Sequence, residues 1–373
     1  MALNFLFVTL ALMKVALESS SLFFKNYTGI PFYIHHLFEA LKDLDNVSPT
    51  LAFRLKKKWS SKNDFQKELL NQKHFWHVNN LYMTSTRFDV VHSLHTPFLN
   101  SKKGLKVATV HDLAVHLPEL KQYNLTTEYF EKKRFALFRS FSKNADVLIT
   151  VSEKTKKDFL RFFDFPEDRI HAVALAPSIS LQNVTVKNKD FLGPKNLTPK
   201  SYFIALGGVS NRKNTLNLIK GYHLSTASKT IKLVITGKVE EPLGAKVRKY
   251  IIENNLTNNV LITGYISNAE LAQLYHNAKA FLFPTLYEGF GIPILEAMSA
   301  NLPVLTSTTG AASETSGGHA VLVNPFEIED IANGLSKILN LNEKQIAVAK
   351  NYADSFSWQR TAKETVAVYN KYM

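Results

Sequence analysis

The chain has 373 residues, with 45 Lys and Arg against 31 Asp and Glu, 26 Phe and no cysteine. The length implies about two domains, and the lack of cysteine excludes disulfides, thiolate catalysis and cysteine-based zinc sites. No uninterrupted apolar run reaches the ~18 residues that a membrane-spanning helix needs. The formal net charge of +14 leans to residues 1–190, which hold 27 Lys and Arg against 18 Asp and Glu. Such a surface attracts phosphate-bearing partners: nucleic acid, anionic lipid head groups or phosphorylated glycans.

In chain order, residues 1–17 are apolar but lack a basic start and are interrupted by Lys14. They read as a first buried strand at 4–10 rather than as a signal peptide. Gly29 then precedes a helix expected over 30–44. Lys56-Lys57-Lys58, between Phe53 and Trp59, suits a membrane-surface patch as well as a solvated face. Strands are expected at 90–92 and 105–110, each ending in histidine-bearing loops: His92 and His95 after the first, His111 and Asp112 after the second. A helix over 128–142 carries the basic cluster Lys132-Lys133-Arg134, and a strand over 145–151 leads to Ser152, placed to cap the next helix.

Periodicity is lost from 177 to 200, where Pro177, Gly193, Pro194 and Pro199 mark a linker. A second alternating block follows. Strands are expected at 202–206, 232–235, 260–262, 280–283, 304–306 and 320–323, with helices between them. An amphipathic helix over 357–373 closes the chain. Short apolar runs alternating with amphipathic stretches indicate an α/β protein with parallel sheets. The organisation expected is a first doubly wound domain over 1–178, a linker over 179–200, a second such domain over 201–356 and a tail helix over 357–373. Ligands of open α/β sheets bind beyond the carboxyl ends of the strands, so two such domains facing each other make one deep cleft.

Two segments of the second domain carry the chemistry. Gly207-Gly208-Val209-Ser210-Asn211-Arg212-Lys213-Asn214 sits between a strand and a helix, and its glycines allow a tight turn that presents Arg212 and Lys213. The string from Glu288 to Glu296, E-G-F-G-I-P-I-L-E, follows the strand Phe281-Leu282-Phe283. Gly289 and Gly291 let the backbone come close to a ligand. The helix that begins there offers unpaired amides to an anion or a polyhydroxylated molecule.

Two glutamates eight positions apart around Gly-Phe-Gly-Ile-Pro resemble the signature of the retaining GT-B glycosyltransferases of family 4. The resemblance implies two Rossmann-like domains facing a deep cleft, with the tail helix crossing back onto the first. It implies that Arg212 and Lys213 hold the diphosphate of a GDP- or UDP-linked sugar, where negative charge grows as the sugar bond breaks. Glu288 and the amides around Phe290–Ile292 would hold sugar hydroxyls, and Glu296 the ribose. His111, in Thr109-Val110-His111-Asp112, would contact the transferred sugar. Gly29 and Gly208 would approach the donor, Ile266 would flank the base, and His92 and His95 would meet the acceptor. Glu314 matches a glutamate with a structural role.

The region 173–178, Val-Ala-Leu-Ala-Pro-Ser, departs from the Asn-Gly-Val-Asp element frequent in the family, which leaves the acceptor class open. The expected activity is transfer of a mannose- or glucose-type hexose to a glycan or lipid-linked glycan in cell-surface polysaccharide assembly. No metal ion or cofactor is expected, because no Asp-x-Asp element stands against the diphosphate. A cytoplasmic protein, peripheral on the inner membrane face, fits this role. Two other readings stay open: a nucleotide-sugar 2-epimerase of the same architecture, and a non-catalytic basic binder of membranes or nucleic acid.

Overall fold

The computed structural model describes residues 12–23, 29–57, 64–77, 88–99, 101, 103–177 and 192–373. The first domain is a sheet of seven parallel strands in the order β3-β2-β1-β4-β5-β6-β7. These are β1 Met13–Glu18, β2 Val47–Arg54, β3 His74–His77, β4 Val90–Ser93, β5 Leu105–Val110, β6 Val147–Thr150 and β7 Ile170–Ala172. The strand expected at 4–10 lies outside the described residues. Met13–Glu18 is an interior strand of the sheet, paired with β2 on one side and β4 on the other. Lys14 does not break this strand, because its side chain is exposed while Val15, Ala16 and Leu17 are buried.

Four helices of this domain matter below: α1 Ile30–Lys42, α2 Asp64–Leu69, α3 Glu128–Asn144 and α4 Glu153–Phe162. The first starts at Gly29, whose φ of 54° places it in the left-handed region that glycine tolerates. The strands β2, β3 and β7 were not legible as strands. Polar or aromatic residues fill β3 and the run of β7 is only three residues long.

The second domain has six parallel strands in the order β10-β9-β8-β11-β12-β13. They are β8 Tyr202–Leu206, β9 Lys232–Thr236, β10 Val260–Gly264, β11 Ala280–Phe283, β12 Val304–Ser307 and β13 Val321–Val323. Its helices are α5 Thr215–Leu224, α6 Leu243–Glu253, α7 Asn268–Asn277, α8 Ile292–Ser299, α9 Ala312–Ser316, α10 Ile328–Leu339 and α11 Glu343–Asp354. Strand order reverses between β1 and β4 in one sheet and between β8 and β11 in the other, and both switch points open at strand carboxyl ends.

The tail helix α12, Trp358–Tyr372, is capped by Ser357, whose hydroxyl accepts from the Arg360 amide. It packs on the first domain. Trp358 Nε1 donates to the Pro177 carbonyl at 2.9 Å, and Thr361 donates to the Ala174 carbonyl at 2.8 Å. The Trp358 indole stacks on the His36 ring. Deeper in, the Tyr369 hydroxyl lies 2.7 Å from His92 Nδ1. An apolar cluster of Ala114, Leu117 and Leu120 from the first domain with Leu286 and Tyr287 from the second joins the domains beside the cleft. Among the described residues no helix is long and apolar enough to cross a membrane.

Candidate active site

The turn after β8 is built around two glycines. Gly207 has φ 96° and Gly208 φ 70°. A Cβ on Gly208 would sit 1.9 Å from the Lys238 carbonyl oxygen, so only glycine lets the two turns meet. Asn214, just before α5, is left-handed as well. Its amide donates to the Pro284 carbonyl at 3.1 Å and to that of Pro325 at 2.5 Å. These bonds fasten the basic turn to the loops after β11 and β13, and Arg212 and Lys213 come to face Glu288.

Lys213 Nζ donates to Glu288 Oε1 at 2.7 Å, while Arg212 Nη1 stands 3.6 Å from Oε2. The ammonium also lies over the Phe283 ring, 4.5 Å from its centroid. Burial pulls the Lys213 ammonium down to about 8. Glu288 opposes that shift, and the neighbouring charge of Arg212 adds to it. Arg212 moves the other way, held protonated chiefly by Glu288 against the cost of burial. A carboxylate with two cations in a half-dry pocket is poised for an anionic ligand.

Deprotonating Lys213 removes one of the two charges. With the enzyme's kcat/KM followed against pH, the rate is expected to fall as pH rises through about 8. Lys213→Arg stays charged and should push that limb upward by more than a unit; an unmoved limb would assign it to another group. Stability follows the opposite sign. The folded state is penalised while Lys213 is charged, and the penalty is relieved as pH climbs from about 8 toward the ordinary 10.5, where the unfolded chain binds the extra proton.

The loop carrying Glu288 is held from both domains. The Gly289 carbonyl accepts from Ser152 Oγ at 2.6 Å and from Thr155 Oγ1 at 3.0 Å, both at the start of α4 in the first domain. A Cβ on Gly289 would lie 1.8 Å from the His111 carbonyl oxygen. From its own domain, the Phe290 carbonyl accepts from Thr315 at 2.6 Å, and Ala311 N–H donates to the Glu288 carbonyl at 2.9 Å. Gly291, φ 108°, starts α8 at Ile292. Pro293 has no N–H and the Ile294 amide donates to the Gly291 carbonyl at 2.9 Å, which leaves the Ile292 amide of the first turn without an acceptor within the helix. Glu296 is buried one turn on and accepts from the Tyr275 hydroxyl at 3.2 Å. Ile266, after β10, is half-buried against the core at the same carboxyl edge.

Across the cleft His111 ends β5. Its Nε2 is 2.7 Å from the Leu94 carbonyl, which can only accept, so Nε2 carries the proton and Nδ1 the lone pair. Burial lowers its pKa to about 4, with the Leu94 bond working the other way, so the ring is neutral at pH 7. His95 packs edge-on against it at 5.9 Å. His92 does not face the cleft as expected. It is fully buried, with Nδ1 on Tyr369 and Nε2 2.8 Å from Thr109 Oγ1, and it joins the tail helix to the sheet. A histidine at a strand end alternates inward or outward with register, and only the sheet decides which. A Cβ on Gly29 would meet open space, and residues 24–28 before it lie outside the described residues.

Three features escaped the sequence reading. Asp112 is half-buried, yet Arg134 at 3.9 Å and Arg212 across the cleft outweigh its desolvation and hold its carboxylate low. Tyr287 donates its hydroxyl to Asp158 of α4, another bond between domains. Glu314, expected to be merely structural, caps a helix of the opposite domain. Its two oxygens accept from the amides of Glu153 at 2.9 Å and Lys154 at 3.0 Å, at the N-terminus of α4. The nearby capping signal of Ser152 is visible in sequence, but a second cap supplied from 160 residues away is not. Glu314→Ala should cost ~1 kcal/mol of docking, as helix caps do, and lower kcat/KM about fivefold. Glu314→Gln, which keeps one acceptor, should recover part; full activity in the alanine variant would remove the cap from the closure.

Two family models match this chain in succession: Glycosyltransferase Family 4 over residues 29–175 and Glycosyl transferases group 1 over residues 188–354. This chain belongs to the family-4 glycosyltransferases. Among its relatives is O-antigen chain mannosyltransferase B of Escherichia coli, 28% identical over 70% of this chain and 69% of that protein. Sucrose-phosphate synthase of Thermosynechococcus elongatus superposes with a TM-score of 0.72 at 17% identity, over 96% of this chain and 98% of that one. HepE of Anabaena, solved with UDP and glucose, superposes at 0.70 with 14% identity, over 96% and 99%. The fold of this glycosyltransferase is GT-B, with Gly289 of the signature loop lying against the first domain.

Proposed function

We propose that this glycosyltransferase is a retaining hexosyltransferase. It moves a mannose-type sugar from a nucleoside diphosphate to a hydroxyl of a glycan or lipid-linked glycan, in the cytoplasm at the membrane face, for polysaccharide assembly. The observation that carries this reading is the Lys213–Glu288–Arg212 constellation on a loop that touches His111 of the opposite domain. The mannosyltransferase relative supports the sugar, and the UDP and glucose held by HepE support a nucleotide donor.

In this reading the diphosphate displaces Glu288 from its two cations, and the freed carboxylate takes sugar hydroxyls. The bond from the anomeric carbon to the diphosphate oxygen breaks with its electron pair on the leaving group. Lys213, Arg212 and the Ile292 amide that opens α8 stabilise the charge that accumulates there. The acceptor oxygen attacks from the same face and passes its proton to the departing phosphate. Nδ1 of neutral His111 accepts a hydrogen bond from a sugar hydroxyl. Glu296, held by Tyr275, holds the ribose. The joined domains keep water from the donor. With two side-chain cations on the diphosphate, turnover needs no divalent ion, and activity should survive EDTA.

Thermal unfolding with UDP, GDP, ADP and their common sugar conjugates tests this reading. A ligand at a hundredfold its Kd adds about 2.7 kcal/mol to the folded state. A clear upward shift with one nucleoside diphosphate is expected. No shift with any of them overturns the donor site. Free sugar released from the conjugate, with no stimulation by acceptor, would point to epimerase chemistry instead.

A further inference from the structure

Glu18 is a fully buried carboxylate outside the Lys213–Glu288–Arg212 constellation, and it ends β1. Strand register places it beside Ala52 of β2, two residues short of Arg54, and places Arg54 beside His77 of β3. The three side chains therefore share one face of the sheet. The ends of four strands meet around this carboxylate. Its Oε1 accepts from the Ser20 hydroxyl, just after β1, at 2.5 Å. The same oxygen lies 3.5 Å from Arg54 Nε at the end of β2 and 3.6 Å from His77 Nε2 at the end of β3. Oε2 accepts from the hydroxyl of Thr96, three residues past β4. A buried carboxylate is costly unless it is paired and hydrogen-bonded, and a well-packed apolar residue would fill a strand end without that cost.

What the carboxylate holds on the β4 side leads to His111. The bend over 94–96 is closed on itself by the Ser93 hydroxyl, which donates to the Thr96 carbonyl, and tied to the sheet by the Thr96 hydroxyl on Glu18. Leu94 and His95 stand between these two points. The Leu94 carbonyl accepts from His111 Nε2 at 2.7 Å, and the His95 ring lies edge-on to the His111 ring. A neutral imidazole carries its proton on one nitrogen, and the partner of the other nitrogen or of that proton decides which. Without the Leu94 carbonyl in place, Nε2–H loses its acceptor and the two tautomers come close in energy. The alternative tautomer has its proton on Nδ1, which then cannot accept from a sugar hydroxyl.

We propose that Glu18 is a positioning residue for sugar transfer. Through the Thr96 hydroxyl it fixes the bend after β4, and that bend keeps His111 as the Nε2–H tautomer whose Nδ1 accepts from the donor sugar. This rests on the role given to His111 above. Ser20 and Arg54 hold the other carboxylate oxygen, so the Thr96 hydroxyl meets a fixed acceptor rather than a mobile one.

The test is nitrogen-15 NMR of the ring nitrogens in the histidine-labelled full chain, without ligand at pH 7, with His111 assigned from the H111Q spectrum. The parent should show His111 in one tautomer, protonated at Nε2. T96V removes the hydroxyl at nearly constant volume and should give a mixture of both tautomers. His92 is held separately, by Tyr369 and Thr109, so its signals should not move. Kinetics use the sugar conjugate selected by thermal unfolding. With it, T96V should release nucleoside diphosphate about tenfold more slowly at saturation, with KM changed less than about twofold, because a supporting residue sets geometry more than binding. T96S, which restores the hydroxyl, should recover the single tautomer and most of kcat. E18A should lose at least as much as T96V, and E18A/T96V should be no slower than E18A, since both changes break one link. Should E18A fail to fold, T96V and T96S still decide. A single Nε2–H tautomer in T96V, signals of His92 and His111 moving together, or parent-like kcat beside a mixed tautomer would each overturn the proposal. Failure of the nucleotide panel would strike the donor site and leave the tautomer result, taken without donor, standing.

Discussion

Replacing Arg212 and Lys213 together by alanine is expected to lower kcat/KM by about 10³- to 10⁴-fold. Removing one preorganised donor from a developing oxyanion costs roughly 10²–10³, and the two cations share one diphosphate, so their losses are not additive. The variant has a second consequence. Glu288 is 7% exposed and would be left with neither cation beside it. An unpaired buried carboxylate destabilises by several kcal/mol and repels the donor. The triple variant with Glu288→Gln removes that charge. It should regain stability in thermal unfolding and leave turnover as low as before. Turnover within tenfold of the parent in the double variant would disprove the assignment of the diphosphate site.

The second large effect is expected from Gly289→Ala, with at least ~10²-fold loss of kcat and little change in melting temperature. The physical cause is a single contact between domains. The added methyl would lie 1.8 Å from the His111 carbonyl oxygen, and a backbone atom cannot rotate away as a side chain can. Gly289 is not among the glycines with positive φ, so alanine suits its backbone and each domain should fold unchanged. Relief comes only from backing the first domain away, which lengthens the bonds from Ser152 and Thr155 to the Gly289 carbonyl and shifts Glu288 with them. A misplacement of about 1 Å near the reacting atoms is worth ~10²-fold. Nucleotide binding, made mostly within the second domain, should weaken less than turnover. Parent-like kcat would show that the closed arrangement is not the active one.

The second domain was the more legible half because its strands are short buried runs bounded by glycine or proline. Tyr202–Leu206 is a case in point, where the expected strand and the observed one coincide. The first domain hid more. The strand Met13–Glu18, which pairs with both β2 and β4, was not expected, and the strand expected at 4–10 lies outside the described residues. His92 and His111 both end strands and were placed together in the cleft. Yet His92 is fully buried under Tyr369, a partner 277 positions away, and bonded to Thr109.

What the sequence determined by itself was the chemistry on offer: two glycine turns, two cations, two glutamates at fixed spacing, and the alternation that demands parallel sheets. These are local facts, written in residue type and short-range spacing, where steric and helical rules act within a few positions. The tertiary structure alone decided which groups oppose one another. Glu314 caps a helix 160 residues upstream, Gly289 meets His111, Asp112 senses Arg212, and the cations of α3 face outward beside exposed rings. Such pairings depend on how two sheets dock and how strands register, and the energy that selects them comes from contacts between residues far apart in the chain.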